Sequence, residues 1–298
     1  MTELGLRGEN HDLAAFDGEP IQIAVRATRP QSLLITLYGA YSRALGGWLS
    51  VGTVLELLGE LGIEDAAVRS ALSRFKRRGI LIAEKRDGVA GYALSDSSRR
   101  IFDVGDARVL ERREPPKDEG WVLAAFSIPE SARDVRYRLR SRLAKVGFAQ
   151  VTGGLWIAPR ALEVDVRNVV EALGVSENVD VFRAEHIAFR PTAEAVQEWW
   201  DLAEIAGHYA EFTEAYACVR TAYSGVRGEI DPQQAFIDYT RILTSWRMLP
   251  YIDPGLPPAY LPRGWAGRQA TELFFWLHDH LAARAQEHVV AVCQQRCP

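Results

Sequence analysis

The side chains best suited to chemistry in this sequence are basic and hydroxyl groups gathered on one predicted helix, from Asp65 to about Arg78. Helical spacing turns Val68, Leu72 and Phe75 to one side. The opposite side carries Arg69, Ser70, Ser73, Arg74 and Arg77. A helix fits the major groove of DNA, where arginine bonds to guanine and serine bonds to bases or phosphates, so this face indicates DNA binding. The alternative is the solvated side of an ordinary amphipathic helix.

Two more helices are predicted ahead of that one. Pro30 fits the first turn of a helix that ends at Gly46-Gly47. Ser50 is the expected N-cap of the second helix, and Asp65 is the expected N-cap of the third. We therefore expect a three-helix unit that holds the basic face in place.

A predicted β-hairpin follows the third helix. Residues 80–85 and 92–95 are the β-rich stretches, and Asp87-Gly88 is typical of the turn between them. Lys85 and Arg86, at the start of the turn, can reach backbone phosphates or the minor groove. Three helices and a hairpin in this order predict a winged helix-turn-helix domain over residues 29–110.

Charge is distributed unevenly along the 298 residues, which carry 35 basic and 39 acidic side chains. Residues 26–113 have a net charge of +5, whereas residues 1–25 have −4 and residues 191–298 have −5. The total excludes a polybasic protein that coats DNA by charge alone. Any contact with nucleic acid must come from the early basic block.

Several other classes of protein are disfavoured. No apolar run approaches the roughly 18 residues of a membrane-spanning helix. The acidic start of the chain does not fit a signal peptide, and residues 1–28 are expected to form a disordered extension. Cys218, Cys293 and Cys297 do not make a secreted disulfide framework. The sequence thus predicts a cytoplasmic protein without a membrane segment.

Residues 121–190 have the pattern of a second domain, after a charged linker over residues 111–120. Its order of predicted elements is β-α-β-β-α-β, which is the ferredoxin-like arrangement. The first of its helices carries Arg133, Arg136, Arg138, Arg140 and Arg142. These arginines are either a solvated helix face or a surface that binds phosphate or another domain.

The remaining residues, 191–298, are predicted to be mainly helical, with a proline-rich loop between the last helices. Aromatic and cationic side chains around this loop suit an aryl group and phosphates. They are Trp246, Arg247, Tyr251, Trp265 and Arg268. The alternative is that the tryptophans belong to the core and the arginines hold the loop.

The residues that could form a metal site do not have the spacing that such a site requires, and the common catalytic motifs are not found. His278 and His280 are two residues apart, so a helix turns them to different faces, and Cys293 and Cys297 do not have zinc-knuckle spacing. No phosphate-binding loop, dinucleotide loop or nucleophile elbow is present in the sequence. We therefore predict no enzyme activity, no cofactor and no metal site.

Three motifs, in order along nearly the whole chain, resemble the PaaX family of regulators of phenylacetic acid degradation. They are AVRSALSRFKRRGIL at residues 67–81, GGLWIAP at residues 153–159 and DPGLPPAYLPRGWAG at residues 253–267. The resemblance implies a homodimeric transcriptional regulator, usually a repressor, that a coenzyme A thioester such as phenylacetyl-CoA releases from its operator. A two-fold dimer implies an inverted-repeat operator. In this interpretation residues 191–298 dimerise and hold the effector, while residues 121–190 couple the two ends.

Two alternatives remain at this stage. A winged helix can bind protein in place of DNA. The middle domain also resembles a small CRISPR-associated endonuclease, whose metal-dependent activity is attributed to an Asp closing the first strand. Ser127 stands at that position here, and a lone hydroxyl is a poor Mg²⁺ ligand.

Overall fold

A computed structural model of the chain describes residues 27–111, 118–187, 189–225 and 228–296. The predicted extension and linker lie mostly outside these residues and stay predictions. The chain divides into two compact units. The first unit contains described residues 27–111, 208–225, 228–248 and 266–296, and the second contains 118–187, 189–207 and 249–265.

The N-terminal part of the first unit alternates short helices with a small sheet. Its elements are α1 (Pro30–Thr36), β1 (Trp48–Ser50), α2 (Val51–Glu60), α3 (Asp65–Arg77), β2 (Leu81–Arg86), β3 (Val89–Leu94) and α4 (Asp96–Leu110). A π-helical turn at Leu37–Ser42 and a 3₁₀ turn at Arg43–Leu45 extend α1 to Gly46. The three strands form an antiparallel sheet in the order β1-β3-β2.

Local sequence explains two of the helix starts. Ser50 caps α2 as predicted, because its Oγ accepts a hydrogen bond from the Thr53 amide at 3.0 Å. The prediction for α3 is wrong by one residue, since Glu64 occupies the N-cap position and its side chain makes no capping bond. Asp65 is instead the first helical residue, where its charge favours the positive end of the helix dipole.

The hairpin depends on backbone conformations that few residues adopt. Asp87 and Gly88 have φ values of 48° and 82°, which suit the tight two-residue turn joining β2 to β3. A Cβ atom on Gly91 would lie 2.4 Å from the Trp48 ring and 2.5 Å from the Leu49 carbonyl oxygen. Only glycine therefore lets β3 pair so closely with β1.

Three long helices complete the chain's C-terminal part: α8 (Leu202–Ser224), α9 (Pro232–Trp246) and α11 (Ala266–Arg296). Within the first unit, α9 packs on α1, where the buried Tyr41 hydroxyl lies 2.8 Å from Thr240 Oγ1. Helix α11 packs on α2, where His288 Nε2 lies 2.8 Å from Glu60 Oε2. The C-terminal helices and the three-helix segment thus share one unit.

The second unit is built on a four-stranded antiparallel sheet with the order β5-β6-β4-β7. Its elements are β4 (Trp121–Phe126), α5 (Arg133–Lys145), β5 (Ala149–Thr152), β6 (Leu155–Pro159), α6 (Glu163–Leu173), β7 (Val179–Ala184), α7 (Thr192–Trp199) and α10 (Leu249–Ile252). Leu139 and Leu143 of α5 pack with Val166 and Val170 of α6 over one face of the sheet.

The helix predicted from Pro191 to about Tyr216 is instead two helices, α7 and α8. The break falls at Trp200, which has extended backbone angles and whose indole nitrogen donates to the Gly147 carbonyl at 3.0 Å. Packing of this tryptophan in the second unit therefore overrides the helical periodicity. A search of the described helices finds none that combines the length and the hydropathy of a membrane span.

Candidate nucleic-acid interface

Helix α3 is fixed by its apolar face. Val68, Ala71, Leu72 and Phe75 are all buried in the first unit. This burial orients the helix so that its polar face points to solvent, as the spacing predicts. Helix α3 has 13 residues and is therefore about 20 Å long, which suits insertion into a DNA groove about 12 Å wide.

All five predicted contact residues on α3 are exposed: Arg69, Ser70, Ser73, Arg74 and Arg77. The Arg74 guanidinium donates to Ser70 Oγ at 3.3 Å, which places a donor and a hydroxyl side by side one turn apart. Within the described ranges, Arg69 and Arg77 have no hydrogen-bond or ion-pair partner. Lys76 and Arg78, which the sequence analysis did not select, are exposed at the end of the same helix.

The two predicted contact residues of the hairpin differ in their surroundings. Lys85 is exposed. Arg86 is half-buried, since its Nε donates to Glu84 Oε1 at 2.9 Å and its guanidinium lies 5.3 Å from the centre of the Trp48 ring. The structure therefore leaves Lys85 available to an anion and holds Arg86 against the base of the hairpin.

The predicted effector residues are not all in one unit. Trp246 and Arg247 are buried in the first unit, and Arg268 of the same unit is exposed and paired with Glu272 at 3.3 Å. Tyr251 and Trp265 are half-buried in the second unit.

Trp246 and Arg247 make contacts that a structural role explains. The Trp246 ring stacks on Phe274 with 4.4 Å between ring centres. The Arg247 guanidinium donates to Thr36 Oγ1 at 3.2 Å and to the Ser32 carbonyl at 3.4 Å. Both side chains thus join α9 to neighbouring helices of the first unit.

Sequence reasoning missed a cavity of about 240 Å³ in the first unit. Its walls come from the segment 45–53 and from the end of α11. They are Leu45, Trp48, Leu49, Ser50, Thr53, Val290, Cys293 and Gln294. None of the five predicted effector residues lines this cavity, and no helical or strand period could reveal it because distant segments form it.

The two histidines considered for metal binding have other partners. His278 Nδ1 lies 2.6 Å from the Tyr239 hydroxyl, and His280 Nδ1 lies 2.7 Å from the Trp276 carbonyl oxygen. Over the residues that the structure describes, no group of three or more His, Cys, Asp or Glu side chains is placed to hold a metal ion. In the middle segment, Ser127 follows the end of β4 and donates its amide to the Asn178 carbonyl at 3.1 Å.

The arginine run on α5 is partly neutralised in the second unit. Arg136 pairs with Glu130 at 2.7 Å, and Arg140 donates to Gln150 at 2.5 Å. Arg133 and Arg138 are exposed on the same helix. These contacts favour a solvated helix face for part of the run.

The architecture defines an α+β protein with two small sheets and a helical C-terminal region. Three family models match it in order: "PaaX-like protein" over residues 29–98, "PaaX protein central Cas2-like domain" over residues 114–196 and "PaaX-like protein C-terminal domain" over residues 200–291. The chain belongs to the PaaX family, as the three sequence motifs predicted.

Two known proteins resemble the chain over most of its length. The transcriptional repressor PaaX of Escherichia coli K12 is 27% identical over 270 residues, which cover 89% of this chain and 85% of the repressor. An uncharacterized protein from Mycobacterium tuberculosis has a similar solved structure, with a TM-score of 0.57 and 22% identity. That match covers 89% of this chain and 99% of the other, and it supports the fold alone.

Proposed function

We propose that this protein is a cytoplasmic, homodimeric transcriptional repressor that binds an inverted-repeat operator in double-stranded DNA. The observation that carries the proposal is the exposed face of α3, where arginine and serine side chains project from a helix whose other face is buried. Kinship with a transcriptional repressor of Escherichia coli supports the same conclusion.

In the proposed repressor, residues 29–110 form a winged helix-turn-helix domain. Helices α2 and α3 are the helix-turn-helix pair, and the β2-β3 hairpin beside β1 is the wing. Residues 121–190 are interpreted as a ferredoxin-like domain. The β-α-β-β-α-β order and the sheet order β5-β6-β4-β7 support that interpretation.

Within this proposal the basic side chains have separate tasks. Arg69 and Arg74 read bases in the major groove, together with Ser70 and Ser73. Arg77 contacts backbone phosphate beside that groove. Lys85 binds phosphate from the wing, and Arg86 acts through Trp48 and Glu84 to position the wing.

The effector in this proposal is a coenzyme A thioester such as phenylacetyl-CoA, as the family resemblance implies. Because α9 and α11 pack directly on α1 and α2, a ligand that shifts these helices also shifts the segment that carries α3. The thioester would stabilise a dimer in which the two α3 helices no longer match the half-site spacing. The 240 Å³ cavity of the first unit is a candidate site for this ligand.

A fluorescence-anisotropy titration with DNA from upstream of the protein's own gene tests the proposal. The protein should bind this DNA far more tightly than a scrambled duplex at two salt concentrations, and one of a panel of acyl- and aryl-CoA thioesters should release it. Specific binding that no thioester changes would keep the DNA-binding role and reject the effector.

The same titration separates two other functions. Equally weak binding to both duplexes would argue against an operator. Together with a protein partner that binds the hairpin, it would indicate a protein-interaction module. Divalent-dependent cutting of the duplex, lost on changing acids within residues 121–190, would indicate a nuclease. The proposed repressor should give neither of these two results.

A further inference from the structure

Helix α2 ends in a residue that is unfavourable at that position. Glu60 is its last helical residue, and the last turn of α2 contains no basic residue. The C-terminal end of a helix carries a partial negative charge, so a carboxylate there destabilises the isolated helix. The Glu60 side chain is also only 15% exposed, which adds the free-energy cost of removing a charge from water. Contacts of this carboxylate with other parts of the protein must therefore compensate.

Two helices of the C-terminal part supply these contacts within the first unit. Gln233 of α9 donates its Nε2 to Glu60 Oε1 at 2.9 Å. His288 of α11 has its Nε2 at 2.8 Å from Glu60 Oε2. An ionised carboxylate only accepts hydrogen bonds, so the imidazole nitrogen is the donor. Each oxygen of Glu60 is thus bonded to a different helix.

Two further bonds hold the same end of α2. The Arg241 guanidinium of α9 donates its Nη2 to the Leu61 carbonyl at 3.3 Å. Carbonyls at the end of a helix have no partner inside the helix, so this arginine satisfies one of them. Arg296 of α11 donates its Nε to Glu56 Oε2 at 2.7 Å, one turn before Glu60. Helices α9 and α11 together therefore fix the position of the end of α2.

The end of α2 leads directly into α3, the helix that carries the basic face. Residues 61–64 form the whole connection between the two helices. The Gly62 amide donates to the Gly59 carbonyl at 2.8 Å, and the Ile63 amide donates to the Leu58 carbonyl at 3.0 Å. These bonds fasten the connection to the last turn of α2. A displacement of that turn is therefore passed on to the start of α3.

We propose that Glu60 is a positioning residue for operator recognition: its bonds to Gln233 and His288 set the direction in which α3 presents its basic face. This inference rests on the proposed operator binding, and it names the contact through which α9 and α11 act on α3. Base recognition requires an exact placement of α3 in the groove, whereas general attraction to phosphates does not. Loss of the contact therefore weakens specific binding and spares non-specific binding.

Anisotropy titrations of the full chain with operator and scrambled duplexes test this role. Glu60→Gln keeps the size of the side chain and one acceptor oxygen, and it removes the charge and the second acceptor. The dissociation constant for the operator should rise about tenfold, and that for the scrambled duplex should change by less than about twofold. The matched control is Glu287→Gln, which removes the same charge beside His288. Glu287 pairs with Arg284 of its own helix at 2.8 Å, so both constants should stay unchanged.

A double-mutant cycle separates positioning from a merely structural role. His288→Phe keeps a ring beside Phe236, whose centre lies 5.4 Å from that of the imidazole, and removes the donor to Glu60. Its operator affinity should fall about as much as that of Glu60→Gln. The double variant should bind no more weakly than the weaker single variant, because both changes break one contact. Urea denaturation of each variant gives the folded fraction, by which the affinities are corrected.

The outcomes separate the role of Glu60 from the function of the protein. A Glu60→Gln protein that is less stable but binds the operator with wild-type affinity would overturn the positioning role and leave the repressor intact. Equal losses on both duplexes, or losses that add in the double variant, would overturn it as well. A wild-type chain that does not distinguish the operator from the scrambled duplex would overturn the proposed function itself, and the positioning role with it.

Discussion

The indole nitrogen of Trp246 donates a hydrogen bond to the main-chain carbonyl of Val109 at 3.0 Å. Both residues are buried, so this bond joins α9 to α4 inside the first unit. Helix α4 directly follows the β2-β3 hairpin in the chain. The C-terminal helices therefore pack directly on the segment that carries the basic face.

The Trp246→Phe substitution tests whether this residue is structural. It keeps an aromatic ring near Phe274 and removes the donor, which leaves the buried Val109 carbonyl without its partner. We expect a loss of about 1–3 kcal/mol in the free energy of unfolding, measured by urea denaturation. The affinity of the refolded protein for a releasing thioester should be unchanged.

The control for this experiment is Arg268→Ala, since Arg268 is exposed and should barely affect stability. A Trp246→Phe protein with wild-type stability and weakened thioester release would reverse the assignment. It would indicate that Trp246 contacts the effector, as the sequence analysis predicted.

Sequence periodicity predicted the helix faces well where burial follows a single apolar stripe. Helix α3 is the best case, because Val68, Leu72 and Phe75 alone determine which side faces solvent. Long-range contacts could not be predicted in this way. The sequence analysis did not predict α4, although Ser95 caps it. Contacts distant in sequence hold this helix, such as the bond from Trp246 to the Val109 carbonyl and the Phe102 ring beside Gly39.

Long-range contacts also limit what the sequence could predict about the effector residues. Aromatic and cationic residues near a proline-rich loop are compatible with a ligand site and with a core, and composition does not distinguish the two. Burial of Trp246 and Arg247 against α1, α4 and α11 depends on chain segments up to about 200 residues away. The position of β7 at the edge of its sheet could not be predicted either, because the sequence of one strand does not determine the strand order.

Alanine substitutions at Arg69 and Arg74 test the major-groove contacts. Each variant should lose about 1–3 kcal/mol of binding free energy for the operator and much less for a scrambled duplex, because base contacts are specific to sequence. Anisotropy titrations on both duplexes measure the two losses. The control is Arg138→Ala on α5, an exposed arginine that should change neither.

Equal losses at all three arginines, on both duplexes, would contradict a reading helix. They would instead indicate diffuse electrostatic attraction between the protein and DNA.

Lys85 and Arg86 should differ although they are neighbours in the hairpin. Lys85→Ala should weaken binding to all duplexes alike and lower the slope of log affinity against log salt by about one, because one phosphate contact is lost. Arg86→Ala should leave that slope unchanged, since Glu84 already compensates its charge and its guanidinium packs on Trp48. A salt titration from low to moderate ionic strength measures both slopes, and a drop of about one for Arg86→Ala alone would invert the two roles.

Glu163 of α6 supports the edge strand β7 through Arg183. Its carboxylate accepts hydrogen bonds from Arg183 at 2.7 Å and from Arg167 at 3.1 Å, and these bonds lower its pKa from 4.5 to about 2. A lowered pKa in the folded state means that the carboxylate stabilises the fold above about pH 4.5 and loses this effect as the pH falls toward 2.

Glu163→Gln should therefore have a lower free energy of unfolding than the wild type at pH 7, and this gap between the two proteins should close on acidification. Urea denaturation between pH 7 and pH 3 measures the gap, with Glu171→Gln on the exposed side of the same helix as the control. A gap that stays constant down to the lowest pH would show that the Glu163 charge does not stabilise β7.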